Sequence, residues 1–236
     1  MLAEILGTVD EGLLAAVCQD RWSESQTLEF KRVLPGTDEA AKDEFLKDIC
    51  ALANSSGGDI VYGISEVGGS ASALSPIQIT QHPVDATKRR LGQLIESGVE
   101  PRVAAVSMHA VACSAGGYVL IVRVPSSFQQ PHRCRAGTAA RWVVRVDTRT
   151  ADLTYNQIRS AFGQGAALVD GARRFRDERV SRVLSGNSGQ PIQAGPTALV
   201  HLVPLCVDNW DSERRRARPA QRELSKIHVP GLGRSE

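Results

Sequence analysis

Thr27-Leu28-Glu29-Phe30-Lys31 and, one helix further on, Ala53-Asn54-Ser55-Ser56-Gly57-Gly58-Asp59-Ile60-Val61-Tyr62-Gly63-Ile64 decide how this chain folds. The first stretch alternates, with Leu28 and Phe30 on one side and Glu29 and Lys31 on the other, which is the period of a half-buried strand over 27–33. The second joins a helix end to a buried strand over 59–64 through Gly57-Gly58, two residues that accept the positive φ of a sharp reversal. Between them, Pro35-Gly36-Thr37-Asp38 makes a loop in which Thr37 or Asp38 can cap a helix over 39–54. That helix has a broad apolar face around Phe45, Ile49 and Leu52, and a charged face of Asp43, Glu44, Lys47 and Asp48. A charged strand end and a glycine-rich turn are thereby expected close in space.

Working outward, residues 9–20 read as a short helix and 84–97 as another, ended by Glu100-Pro101. Strands near 103–111 and 117–124 read as a hairpin across Ser114-Ala115-Gly116-Gly117. Gly68 to Ser75 and Pro125 to Thr138 read as polar loops, Trp142 to Val146 as a strand and Thr154 to Phe162 as a short helix. Alternating strands and helices early, then a hairpin, predict a mixed α/β or α+β sheet. Four segments follow: an N-terminal helix at 1–20, a main domain at 21–165, a basic extension at 166–207 and a tail at 208–236. The extension holds a basic amphipathic helix at 171–185, in which Phe175, Val180, Val183 and Leu184 sit among five arginines, and a strand at 197–205. The tail carries too few apolar groups to offset its ordering entropy, so disorder is expected there.

A hydrophobic content of 42% is enough for a soluble core, and no run approaches the roughly 18–20 apolar residues of a membrane span. No membrane partner is expected, and the N-terminus lacks the basic start of a signal peptide, which predicts a cytoplasmic protein. The cysteines at 18, 50, 113, 134 and 206 form no C-x-x-C pair, so they read as free thiols, Cys50 as a small core residue. Net charge is uneven: residues 1–170 carry 16 bases and 19 acids, residues 171–236 carry 12 and 7. The basic end points to a polyanionic partner. No G-x-x-x-x-G-K-[ST] string exists, so Gly57-Gly58 makes a turn and not a phosphate cradle.

The Glu24…Glu29-Phe30-Lys31 strand, the Asn54-Ser55-Ser56-Gly57-Gly58 turn with its Tyr62-Gly63-Ile64 strand end, Pro131-His132, and Arg145-Val146-Asp147-Thr148-Arg149-Thr150 together resemble the bacterial Schlafen-type AlbA-like domain, over roughly residues 20–162. The resemblance implies an α+β fold, a small mixed sheet flanked by helices, and nucleic-acid binding, to DNA or RNA. Animal Schlafen proteins are similar to metal-dependent RNA endonucleases that cut tRNA-like substrates with an acidic trio. Glu24 and Glu29 keep the spacing of two of those acids, and Glu66 stands where aspartates are usual. Asp147 replaces an expected glycine and the zinc ligands of the animal proteins are absent, so binding carries over better than cleavage.

On that resemblance Glu24, Glu29 and Glu66 are the candidate catalytic and metal-binding residues, with Mg²⁺ or Mn²⁺ as the cation that hard oxygen ligands select. The opposing reading makes Glu29 a partner of Lys31 or a neighbouring base on an ordinary solvated face. Lys31, Arg32, Lys47, Arg145 and Arg149 are the candidate phosphate contacts, against scattered surface charge. His132 belongs either near the site or on an exposed loop; His82, His109 and His201 read as structural. Trp142 and Tyr155 either stack on bases or belong to the core. The function expected is nucleic-acid binding, with endoribonuclease activity and a nucleotide-responsive regulator as alternatives. A homodimer stays open.

Overall fold

A computed structural model of the chain describes residues 1–3, 5–136 and 139–186, all within the unit Met1–Cys206. The expected strand at 197–205, the unit Val207–Glu236 with the expected tail, His201 and Cys206 lie outside the described residues. The fold is mixed α+β, as the sequence predicts.

Its centre is β2 (Gly58–Tyr62) beside β7 (Tyr118–Val124), and every residue of β2 is buried. With β1 (Leu28–Lys31) and β6 (Ser107–Ala112) they form a four-stranded sheet in the order β1-β2-β7-β6. β1 runs parallel to β2, and the other pairs are antiparallel. Parallel neighbours need a crossover, supplied by α2 (Glu39–Ala53), whose first turn is capped by Asp38 accepting from the Ala41 amide at 3.0 Å.

The pleat sends alternate side chains to opposite faces, and both faces of this sheet are covered. Ile60, Leu120, Val122 and Val124 pack against Phe45, Ile49 and Leu52 of α2 and Leu91 of α3 (Val84–Gly98). Leu28, Phe30, Val61, Val119 and Ile121 pack against Leu14 and Val17 of α1 (Glu11–Gln19). A second sheet, β5 (Val99–Glu100), β8 (Arg133–Ala136), β9 (Ala139–Val146) and β10 (Arg149–Asp152), is antiparallel throughout in the order β10-β9-β8-β5. Its inner residues Cys134 and Val143 share one core with Cys50 and the rest of α2. So α2 packs against both sheets.

Three expectations change. Gly68 to Ser75 is not all loop, since β3 (Ile64–Val67) and β4 (Ser70–Leu74) form a hairpin around Gly68-Gly69. The polar segment from Pro125 contains β8, a strand whose every second residue faces out, so its composition reads polar. The short helix at 154–162 and the basic helix at 171–185 are one helix, α4 (Tyr155–Leu184), opened by a capping box between Thr154 and Gln157. The boundary between 165 and 166 falls inside it.

At the motif turn, φ is +71° for Gly57 and +157° for Gly58. A Cβ on Gly57 would meet the Ser126 amide nitrogen at 2.6 Å, and one on Gly58 the Thr27 carbonyl oxygen at 2.6 Å. Glycine is needed for close backbone approach as much as for φ. Beside it, Asp59 is fully buried and accepts from Arg123 Nε at 2.7 Å, Arg123 Nη2 at 2.9 Å and the Leu2 amide at 2.8 Å, pinning the N-terminal segment to the sheet.

Candidate functional site

Because β1 alternates, Glu29 and Lys31 face the α2 side of the sheet. Glu29 is 8% exposed; its Oε1 lies 2.8 Å from Lys31 Nζ and its Oε2 accepts from Arg145 Nη1. Lys31 Nζ lies 3.1 Å from Asp48 Oδ2 on α2, an ion-pair distance off the favoured hydrogen-bond direction. Arg145, Glu29, Lys31 and Asp48 thus form a chain of alternating charge across β9, β1 and α2. Burial alone would lower the Lys31 ammonium, but Asp48 and Glu29 outweigh it and hold it above its usual value. Asp48 is pushed from 3.8 up to about 7 by burial and by the Glu29 charge, with Lys31 opposing.

The folded state therefore retains a proton on Asp48 that the unfolded chain has lost. The stability linked to it is full below pH 4 and is lost as pH rises toward and through about 7. Asp48→Asn is expected to flatten that part of the curve of melting temperature against pH. An unchanged slope would remove Asp48 as its source.

Glu24 lies at the free edge of β1. Its Oε1 accepts from the Phe30 amide at 3.0 Å, on the side of the strand that β2 does not use. Its own amide donates to the Gly69 carbonyl at 2.7 Å, which ties it to the β3–β4 turn. Glu66, exposed on β3, accepts from the Gly69 amide at 2.7 Å. Burial raises the Glu24 carboxyl, and the charges of Glu29 and Glu66 raise it further, against the Phe30 amide and Arg145. The three acids are therefore electrostatic neighbours.

They do not fit a divalent cation as they stand. Both Glu29 oxygens are engaged by cations, and Glu24 and Glu66 each give one oxygen to a backbone N–H. Among the described residues, no group of three or more His, Cys, Asp or Glu could hold a metal ion.

The candidate phosphate contacts are not brought onto one surface. Arg145 is 3% exposed, its amide donating to Ser55 Oγ at 2.8 Å and its guanidinium facing Glu29. Lys47 pairs with Glu44 at 2.7 Å. Arg32 is exposed just after β1, and Arg149 is exposed on β10. His132 is not on an exposed loop: it is fully buried, its Nδ1 is 2.7 Å from the Pro101 carbonyl oxygen, and burial lowers its pKa. Its amide donates to Asn54 Oδ1 at 2.7 Å, while Asn54 Nδ2 donates to the carbonyls of His132 and Val143, each at 2.8 Å. The motif asparagine is thus a clamp between α2 and the second sheet. His109, read as structural, lies 3.2 Å through Nε2 from the Val9 carbonyl oxygen.

A basic surface does exist on the outer face of the second sheet. Cys134, Val143 and Arg145 point inward, so their strand neighbours Arg133, Arg135, Trp142 and Val146 point outward. Arg133 sits opposite Trp142, and Arg149 opposite Val146. Arg135, Val146 and Arg149 are exposed; Arg133 and Trp142 are half-buried. Arg133 makes a two-pronged pair with Glu100 Oε2, at 3.1 Å and 2.6 Å. Sequence reasoning missed Arg133 and Arg135, although the alternation Arg133-Cys134-Arg135 was available as a signal.

The sequence pattern of the family described as Schlafen, AlbA_2 matches residues 24–154, more than half of the chain. The chain belongs to the Schlafen AlbA_2 family. The AlbA_2 match opens on Glu24 and closes on Thr154, the cap of α4, so it holds every strand of both sheets. Among solved structures, the DIP2311 protein from Corynebacterium diphtheriae is 20% identical, over 61% of this chain and 28% of its own, with a TM-score of 0.40. The N-terminal domain of a RecG-related protein from Nitrosomonas europaea is also 20% identical, over 61% of this chain and 94% of its own, with a TM-score of 0.40. Comparison with curated proteins finds no match. Among the described residues, no helix of this AlbA_2 chain is long and apolar enough to cross a membrane.

Proposed function

We propose that this AlbA_2 chain binds single-stranded nucleic acid, RNA or DNA, across the outer face of the second sheet. The observation that carries the reading is a half-buried Trp142 facing outward among Arg133, Arg135 and Arg149. An aromatic ring offers a stacking platform that any base can use, and arginines beside it neutralise phosphates at little geometric cost. Membership of the Schlafen AlbA_2 family supports the same partner class.

The test is titration of fluorescent single strands at several salt concentrations. Arg135→Ala and Arg149→Ala are each expected to lower affinity and to remove about 0.7 from the log–log salt slope for each phosphate left without its arginine. Trp142→Leu keeps apolar bulk and should cost roughly 1–3 kcal/mol of stacking while leaving the slope unchanged. Wild-type affinity and slope in all three variants, with the fold intact, would rule this face out.

RNA cleavage by Glu24, Glu29 and Glu66 is the second reading, favoured by the mutual repulsion that helps raise Glu24. It predicts cutting of tRNA by the wild type and no cutting by Glu24→Gln.

A further inference from the structure

Beside β1, between α2 and the loop that follows Lys31, lies a pocket of about 240 Å³. Its walls are largely apolar, from Leu34, Pro35 and Phe45, and its polar side chains are Lys31, Glu44, Asp48 and Tyr62, of which Glu44 is turned to Lys47. Tyr62 is 1% exposed, and its hydroxyl has no hydrogen-bond partner among the described residues. Asp48 Oδ2 is likewise buried without a hydrogen bond among the described residues, but the Lys31 ammonium pairs with it at 3.1 Å. Tyr62 and Asp48 line the same pocket, and the Asp48 and Glu29 charges add to burial in raising the Tyr62 hydroxyl above its usual value. A buried hydroxyl left unpaired is rare and destabilising, and one in the wall of a pocket calls for a partner from outside.

We propose that this pocket takes a single nucleobase, with Asp48 and Tyr62 reading its hydrogen-bonding edge. Three features select that chemistry. The volume is below the roughly 300–1,000 Å³ of sites for drug-sized ligands, and so suits one ring system. Asp48 accepts, Lys31 donates and the Tyr62 hydroxyl does either, which matches the adjacent donor and acceptor of an amino-substituted base edge. The walls supply apolar contact for the ring faces. A second pocket, of about 390 Å³, shares Val33 and Leu34 with the first and carries Arg32 and His82 on its wall. A sugar and phosphate leaving the base site in that direction meet the Arg32 guanidinium. The base comes from a free nucleotide or from an unstacked residue of a bound strand. Only the second source rests on the nucleic-acid reading above.

The experiment uses the full chain with AMP, CMP and a mixed-sequence single-stranded decamer, each titrated calorimetrically against wild type, Tyr62→Phe and Asp48→Asn. Tyr62→Phe removes one oxygen that has no partner among the described residues, so its melting temperature is expected to equal or exceed that of wild type. Loss of one buried hydrogen bond to the ligand is expected to weaken binding about tenfold. Weaker binding of AMP or CMP in Tyr62→Phe identifies a free nucleotide as the source. Weaker binding of the decamer alone identifies an unstacked base. Wild type that ignores both nucleotides, with decamer affinity the same in all three proteins, overturns the pocket while leaving the sheet face standing. A wild type that binds AMP or CMP but not the decamer overturns the sheet face and leaves the pocket standing.

Discussion

Arg145→Ala is expected to destabilise the fold by about 3–5 kcal/mol, the range found when one partner of a buried ion pair is removed. The substitution strips the guanidinium from a Glu29 carboxylate that is 8% exposed, and leaves Lys31 as the near cation. For a domain of this size that corresponds to a melting temperature lower by roughly 10 °C. Thermal unfolding followed by circular dichroism checks it. Adding Glu29→Gln to Arg145→Ala should recover part of the loss, because a neutral amide is cheaper to bury than an unpaired charge. If Arg145→Ala melts within a degree or two of wild type, the pair contributes nothing and Arg145 becomes a candidate phosphate contact again. Arg149→Ala, on exposed β10, should leave stability nearly unchanged, which separates the two arginines.

Asn54→Ala is expected to cost on the order of 3 kcal/mol or more, since three backbone groups lose their partner at about 1–3 kcal/mol each. Those groups are the His132 amide and the carbonyls of His132 and Val143. All three belong to the second sheet or its approach, while Asn54 ends α2. The loss should therefore appear as faster amide exchange in β8 and β9 before the rest of the sheet system opens. Asn54→Asp is the discriminating control: it keeps the shape and the acceptor, but sets carboxylate oxygens against two carbonyl oxygens. It should rescue little. Near-wild-type stability for Asn54→Asp would mean that shape, and not the amide donors, holds the sheets together.

Local chemistry made the first half of the fold legible. Alternation in Leu28 to Lys31, the Asp38 cap, the apolar face of α2 and the Gly57-Gly58 turn each depend on residues within a few positions. The hairpin β3–β4 and strand β8 escaped notice because short, half-exposed strands have the composition of loops. The two helices expected at 154–162 and 171–185 leave a gap that holds glycines at 163 and 165; α4 runs through them, each a modest propensity loss.

Sequence by itself determined the α+β class, the strand–helix–strand order that starts the first sheet and the family, because these rest on local periodicity and on a motif. Tertiary structure alone decided what the charged residues are for. Alternation says that Arg145 and Val146 face opposite ways, but which face is covered depends on where α2 packs, a contact between segments some 90 positions apart. That packing turned Arg145 and His132 inward and left Arg133, Arg135 and Trp142 outward. It also put Asp48 and Tyr62 on the wall of one pocket, the Tyr62 hydroxyl without a hydrogen-bond partner among the described residues. Burial changes a charge from a solvated handle into half of an obligatory pair, and burial is a property of the assembled sheets and helices, not of the strand that carries the residue.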